Sequence, residues 1–245
     1  MLSEVVVVVI MIILVATIYE YRCRHIAANM PKVLYDESQL RTGDLLITLY
    51  DNWVGPRWAA AHVPLDKIVK EYIVRNLLYT LSTGDYFTHI AMVVVWRGKR
   101  YAYMSMPDRA YDHYTGTYRS GNVLYKLDDY VHTYGGMIAV APYNGPELDP
   151  DAIMGKYADY DYTDFATMTL NGVFGAPWPR RQGRMICTEL VSNIIDDIRG
   201  SPRVPYRHHT MNISETFRYA RQSGLYGRLR LIVNSYLTEQ YLIKK

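Results

Sequence analysis

Cys187 is the residue of this chain whose type and position best suit a chemical reaction. It lies near the start of Arg184–Gly200, RMICTELVSNIIDDIRG, in which apolar residues recur every three or four positions, as in an amphipathic helix. The N-terminus of a helix carries partial positive charge, which favours the thiolate, the nucleophilic form of cysteine. A nucleophile of this kind needs a base, and His89 is a titratable residue at the start of the apolar segment Tyr86–Trp96.

A structural role suits both residues as well. Cys187 shares one helix face with Leu190 and Ile194, so its thiol could simply be a small buried group in an apolar core. His89 begins a strand that we expect to be buried on both faces, where a hydrogen-bonded core histidine is the commoner outcome. The local patterns leave both interpretations open.

The elements that would position these residues are strands and helices of an α+β fold. We predict an antiparallel sheet of about four to six strands, with the Cys187 helix packed against it. The predicted strands are Leu45–Leu49, Tyr86–Trp96, Tyr101–Met106, Gly136–Pro142 and Leu229–Val233. The other predicted helices are Leu65–Leu81, Leu127–Thr133, Asp149–Leu170 and one that is capped by Asn212 or Ser214 and ends at Arg221. The tyrosine-rich segment Asp108–Lys126 is predicted to be an irregular loop that faces a substrate.

The N-terminal segment Val5–Ile18 is an uninterrupted apolar run without charge. About 20 residues cross a bilayer comfortably, so the run is close to the lower limit for a span. Glu4 precedes it and no small-x-small cleavage site follows, which disfavours a signal peptide. We therefore predict one N-terminal transmembrane helix. Arg22 and Arg24 on its C-terminal side place the soluble domain in the cytosol by the positive-inside rule.

This interpretation divides the chain into an anchor with its juxtamembrane segment at residues 1–26, a polar connector at 27–39 and a catalytic domain at 40–245. Cys23 would lie at the membrane boundary, as a palmitoylation site or an idle thiol. With only two cysteines we expect no disulfide.

Composition disfavours other classes of function. The net charge of +3 is small and no basic run is interleaved with aromatic residues, so we expect no nucleic-acid partner. The aspartates within Asp149–Leu170 have neither a histidine nor a defined loop around them, so we expect no metal site there and no cofactor.

Three motifs, taken in order, resemble one family. TGDLLI at Thr42–Ile47, FTHIAMVV at Phe87–Val94 and ICTELV at Ile186–Val191 are similar to the circularly permuted NlpC-type branch of the papain-like thiol hydrolases. That branch contains the YaeF/YiiX-like amidases, and lecithin retinol acyltransferase and several proteins of large DNA viruses are similar. In ordinary papain-like enzymes the cysteine helix precedes the histidine strand, whereas here the order is reversed. The resemblance covers about residues 40–235 and implies a permuted papain-like fold.

The resemblance also implies a mechanism. Cys187 and His89 would form a thiolate–imidazolium pair that attacks an amide or ester carbonyl and forms a thioester acyl-enzyme. A third polar residue normally orients the histidine, often a glutamate in this family. Ser105 occupies the matching position, with Asp108 as the alternative if the strand is shorter. Glu189, in the ICTELV motif, points away from Cys187 by helical rotation and is expected to be structural.

The first hypothesis is thus a single-pass membrane protein, in a host-cell or virion membrane if the viral similarity is a guide, that acts as a thiol hydrolase or acyltransferase. The anchor favours lipids or lipidated peptides as substrates, and a peptidase is a third possibility. Serine orients an imidazole only weakly. A second hypothesis is therefore a catalytically lapsed member of the fold that serves as a structural or interaction protein.

Overall fold

The computed structural model describes residues 14, 17–18, 21–49, 84–133, 137–154, 159–160, 184–201 and 211–234. The helix predicted at Leu65–Leu81 lies outside these residues.

A six-stranded antiparallel sheet forms the centre of the described part of the protein. The strands of the described part of the chain are β1 Leu45–Leu49, β2 Phe87–Trp96, β3 Lys99–Asp112, β4 Thr117–Lys126, β5 Met137–Ala141, β6 Asp159–Tyr160, β7 Arg184–Met185 and β8 Arg230–Asn234. The order in the central sheet is β4-β3-β2-β1-β5-β8, and each strand is antiparallel to its neighbours. The other two strands, β6 and β7, form a short parallel pair.

Helices cover both faces of this sheet. Residues 21–28 are helical and are called α1 here, and a short 3-10 helix follows at Glu37–Gln39. The remaining helices are α2 Leu127–Thr133, α3 Pro150–Met154, α4 Cys187–Arg199 and α5 Ile213–Gln222.

Side-chain alternation along β2 divides the apolar residues between two cores. Ile90, Met92 and Val94 lie in the core that contains α4 and α5. Ala91 and Val93 lie in the second core, with α2 and the segment before β1. The continuous apolar run of this strand follows from its burial on both faces.

Helix α4 begins three residues later than the predicted segment Arg184–Gly200, because Arg184 and Met185 pair with β6 instead. Its buried residues Leu190, Val191, Ile194 and Ile195 face the sheet. The helix ends at Gly200, whose left-handed conformation (φ 59°) lets its N–H bond the carbonyls of Asp196 and Asp197.

The Thr42-Gly43-Asp44 turn joins three strands at the start of β1. The hydroxyl of Thr42 accepts from the Val95 N–H of β2 at 3.0 Å. Asp44 Oδ1 accepts from the N–H of Tyr143, just after β5, at 2.7 Å. Burial raises the pKa of the Asp44 carboxyl, and hydrogen bonds from Tyr143 and Arg41 oppose that rise. Asp44 is therefore a structural residue at the entry to the strand.

The prediction of an irregular loop over Asp108–Lys126 is wrong, since β3 continues to Asp112 and β4 begins at Thr117. The carboxylate of Asp112 closes the hairpin, because it is buried and accepts hydrogen bonds from Thr115 Oγ1 at 2.7 Å and from the Leu124 N–H at 2.9 Å. An acceptor of this kind turns a polar sequence into a regular hairpin.

The helix predicted over Asp149–Leu170 is also shorter than expected. Helix α3 ends at Met154, and Asp159–Tyr160 form a strand beside β7. Residues 155–158 and 161–170 lie outside the described part of the chain.

The prediction of an N-terminal transmembrane helix, in both the fold class and the single-pass localisation, is corrected here. Within the described part of the chain, no helix is long and apolar enough to cross a membrane. Of Val5–Ile18, only Leu14, Thr17 and Ile18 are described.

Part of the segment predicted to be juxtamembrane packs against the sheet. Cys23 and Ala27 of α1 are buried against Leu49, Met137 and Leu231 at the ends of three strands. A cysteine that is wholly buried in this way is not available for palmitoylation in the folded protein.

Candidate active site

Cys187 is the first residue of α4 and is half-buried at the edge of the first core. The residue before it, Ile186, is the N-cap and has an apolar side chain that cannot accept a hydrogen bond. The first-turn N–H groups of a helix point out of its N-terminal end, where they can bind an anion. The thiol therefore lies where a thiolate and an oxyanion would both be stabilised.

The chain just before Cys187 is held by two polar side chains. Ser105 Oγ of β3 donates to the carbonyl oxygen of Met185 at 2.8 Å. Asn193 Nδ2 of α4 donates to the Met185 sulfur at 3.8 Å. Met185 is thus connected to the sheet by its backbone and to α4 by its side chain.

His89 lies near the start of β2, opposite Thr48 of β1. The register shifts between Thr48 and Leu49, so Thr88 is an extra residue in β2 and forms a bulge directly before His89. Bulges re-aim side chains and are over-represented next to active sites. The Thr48 hydroxyl donates to the His89 carbonyl at 3.3 Å, which fixes the backbone at this point.

The His89 ring is half-buried, and its Nε2 atom is shielded from solvent. The following residue, Ile90, packs in the same core as Ile186 and Leu190 of the Cys187 helix. The structure therefore brings the backbone of the histidine strand and the cysteine helix together. The pairing of the imidazole with the thiol stays a prediction.

Ser105 is fully buried, and its hydroxyl proton is directed to the Met185 carbonyl. Its predicted role, orienting His89, stays a prediction, as do the catalytic roles of Cys187 and His89. The side chain of Asp108, the alternative third residue, lies outside the described side chains.

Two polar residues beside Ser105 escaped the sequence analysis. Asn122 of β4 is the cross-strand partner of Ser105, and Tyr103 lies two residues before Ser105 on the same strand face. Both are buried, and their side chains are hydrogen-bonded to each other. Burial raises the pKa of Tyr103, so the phenol stays protonated and donates to the Met154 carbonyl at 3.4 Å. The signal in the sequence was the segment GNVLYK, in which Asn122 directly precedes apolar strand residues.

Helix α4 carries a second, polar set of buried residues that its amphipathic pattern did not indicate. Glu189 is 1% exposed and belongs to this set. Near its C-terminal end, Asp196 accepts a hydrogen bond from the Tyr219 hydroxyl of α5, which also contacts Arg199. At Asp196 this polar side is covered by α5. The other members are Thr188, Ser192 and Asn193.

Within the described part of the chain, no group of three or more histidine, cysteine, aspartate or glutamate residues is arranged to hold a metal ion.

The comparison with solved structures includes a weak likeness. No protein-family model matches the sequence, and no curated protein matches it at a significant level. A crystal structure of the metalloprotein yiiX from Escherichia coli is similar over 66% of this chain and 68% of that chain, with 16% sequence identity and a TM-score of 0.32. A likeness this low supports no conclusion about the activity of the present chain.

Proposed function

We propose that the protein is a cysteine-dependent hydrolase or acyltransferase that cleaves an amide or ester bond. The observation that carries this proposal is the position of Cys187, half-buried in the first turn of a helix that packs against the strand of His89. The reversed order of the histidine strand and the cysteine helix, as in the permuted papain-like enzymes, supports it further.

The proposed reaction has two stages. His89 takes the thiol proton of Cys187, and the thiolate attacks the substrate carbonyl while the N–H groups at the start of α4 stabilise the oxyanion. The C–N or C–O bond then breaks, His89 gives its proton to the leaving amine or alcohol, and a thioester remains on Cys187. Water or another acceptor loses a proton to His89, attacks the thioester and releases the thiol.

A second candidate function is that of a non-catalytic structural or interaction protein with the same fold. The observation that favours it is the hydrogen bond from Ser105 to the Met185 carbonyl. With its proton committed to the backbone, the serine has only lone pairs to offer an imidazole, which is a weaker orienting contact than a carboxylate.

The pH dependence of Cys187 alkylation by iodoacetamide in the full chain tests the first function. A paired thiolate should keep reacting well below the ordinary cysteine pKa of about 8.5, and His89→Ala should lose this low-pH reactivity by about tenfold or more. Cys187→Ser identifies the signal of this thiol.

His113→Ala is the matched control, because His113 is also half-buried but lies on the β3–β4 hairpin. This variant should keep the wild-type profile. An ordinary thiol profile that His89→Ala leaves unchanged would contradict the catalytic function and favour the second candidate. If the dyad is present, p-nitrophenyl esters and anilides should give an acyl-enzyme burst that Cys187→Ser abolishes.

A further inference from the structure

The N-terminus of the Cys187 helix has no hydrogen bond from an N-cap side chain. A serine, threonine, aspartate or asparagine at the N-cap normally bonds a first-turn N–H, but here that position is Ile186. The peptide just before Ile186 is instead fixed from outside the helix, through the Met185 carbonyl. The placement of Cys187 therefore depends on the contacts of Met185, which are its pairing with Tyr160 of β6 and the hydrogen bond to its carbonyl.

Ser105 is well suited to bind it. The Oγ–O distance of 2.8 Å is typical of a good hydroxyl hydrogen bond, and Ser105 is fully buried in a strand at the middle of the β4-β3-β2 half of the sheet. A short side chain on a rigid strand has little freedom to move. Asn193 adds a weaker contact to the Met185 sulfur from within α4.

The neighbours of Ser105 stiffen this contact point. The hydroxyl of Tyr103, on the same face of β3, donates to the Met154 carbonyl at the end of α3. Asn122, on the neighbouring strand β4, is hydrogen-bonded to the side chain of Tyr103. Strand β3 thus uses two buried hydroxyls, two residues apart, to hold two separate chain segments by their carbonyls. The hydroxyls act as backbone clamps.

We propose that Ser105 is a positioning residue for the nucleophile and that it acts through the Met185 carbonyl, rather than a residue that orients His89. This inference rests on the proposed function and assigns Ser105 a different role in it. Loss of the bond frees the peptide that leads into α4 and displaces both the thiol and the oxyanion-binding N–H of Cys187. A displacement of about 1 Å in a reacting group can lower a rate a hundredfold.

Three variants of the full chain separate the two roles. Ser105→Ala removes the clamp, Ser105→Thr keeps the hydroxyl, and Met185→Leu keeps the carbonyl while removing the sulfur. Two measurements are made on each variant: the full pH profile of Cys187 alkylation, and the hydrogen exchange of the amides at the start of α4, which does not depend on activity. If Ser105→Ala does not fold, Ser105→Cys takes its place, because its thiol is a weaker donor of similar size, and hydrogen exchange at the start of α4 is then the deciding measurement.

For Ser105→Ala we expect faster exchange in the first turn of α4 and an alkylation rate at the plateau lowered about tenfold or more, with the midpoints of the pH profile unchanged. Ser105→Thr should restore slow exchange and most of the plateau rate, and Met185→Leu, which loses only the weaker contact to Asn193, should lie between the wild type and Ser105→Ala. A shifted midpoint with an unchanged plateau would overturn the inference, because it would mean that Ser105 acts on His89. Unchanged exchange would overturn it as well.

The proposed function fails separately. If wild-type Cys187 has ordinary reactivity but Ser105→Ala still speeds exchange in α4, the clamp stands and the catalytic function falls. If wild-type Cys187 is reactive and Ser105→Ala changes neither measurement, the function stands and the clamp falls.

Discussion

Gly43, the middle residue of the Thr42-Gly43-Asp44 turn, has a conformation that a side chain would strain. Its φ is +101°, and an added Cβ would lie 2.8 Å from Leu148 Cδ1 and 2.8 Å from Tyr143 Cδ1. Its N–H also donates to the Val93 carbonyl of β2 at 3.0 Å. A glycine is therefore required where this turn comes close to Tyr143.

We predict that Gly43→Ala lowers the free energy of unfolding by about 3 kcal/mol, the sum of backbone strain and overpacking. Gly98→Ala is the matched control, because Gly98 also has a positive φ, +73°, but nothing lies within 4 Å of its added Cβ. It should cost only about 1 kcal/mol. Urea unfolding measures both, and equal losses would show that the approach to Tyr143 and Leu148 has no energetic consequence.

At the scale of elements, a single carboxylate connects the start of β2 with the start of α5. Asp85 Oδ2 accepts from the Ser214 N–H at 2.7 Å, and Oδ1 accepts from the Ser214 hydroxyl at 2.7 Å and from the Phe87 N–H at 3.1 Å. Asn212 and Glu215 add a capping box at the same helix end. Helix α5 is thus fixed to the strand that carries His89.

Burial raises the pKa of the Asp85 carboxyl, and its hydrogen bonds from Ser214 and the neighbouring backbone oppose that rise. The folded protein consequently binds a proton on Asp85 more readily than the unfolded chain does. The stabilisation that this provides is fully present below the unfolded pKa of about 3.9. It is lost as the pH rises through the folded pKa.

We therefore predict that Asp85 makes a contribution to the free energy of unfolding that falls as the pH rises above about 4, and that Asp85→Asn removes this fall. Asp129→Asn, at an exposed position in the first turn of α2, should keep the wild-type slope. Urea unfolding at a series of pH values measures the slopes. Parallel curves for the wild type and Asp85→Asn would refute a raised pKa.

At the scale of the whole molecule, α1 is part of the fold of the sheet domain. Its buried face, Cys23 and Ala27, contacts the ends of β1, β5 and β8, and the Pro31 carbonyl accepts from the Leu231 N–H of β8 at 2.8 Å. The two cysteines therefore differ in environment, since Cys23 is 0% exposed and Cys187 is half-buried.

We predict that the native protein takes up one alkyl group per chain, on Cys187, while Cys23 reacts only after unfolding, because its thiol has no access to solvent. Mass spectrometry of protein alkylated before and after denaturation counts the modified thiols. Cys187→Ser should then take up no label in the native state. Rapid native labelling of Cys23 would show that α1 detaches readily from the domain.

Several strands and helices could be predicted from the sequence because the burial of each leaves a pattern within its own segment of the chain. Leu45–Leu49 and Leu127–Thr133 have the predicted bounds, and β2 starts one residue later than predicted. The apolar run of β2 reflects burial of both strand faces, and the three-to-four-residue period of α4 reflects burial of one helix face. Patterns failed where a polar side chain made a distant contact, as Asp112 does in closing the β3–β4 hairpin.

For the candidate site, residue types and local spacing identify the side chains that suit a reaction: a thiol in the first turn of a helix, and a histidine at the start of a buried strand. The surroundings of these side chains depend on tertiary contacts. The bond from Ser105 to Met185 joins residues 80 positions apart, and Asn122 reaches Ser105 only through strand pairing. Contacts between distant segments leave no periodic trace in a sequence, because nothing in a local pattern specifies which strands will be neighbours.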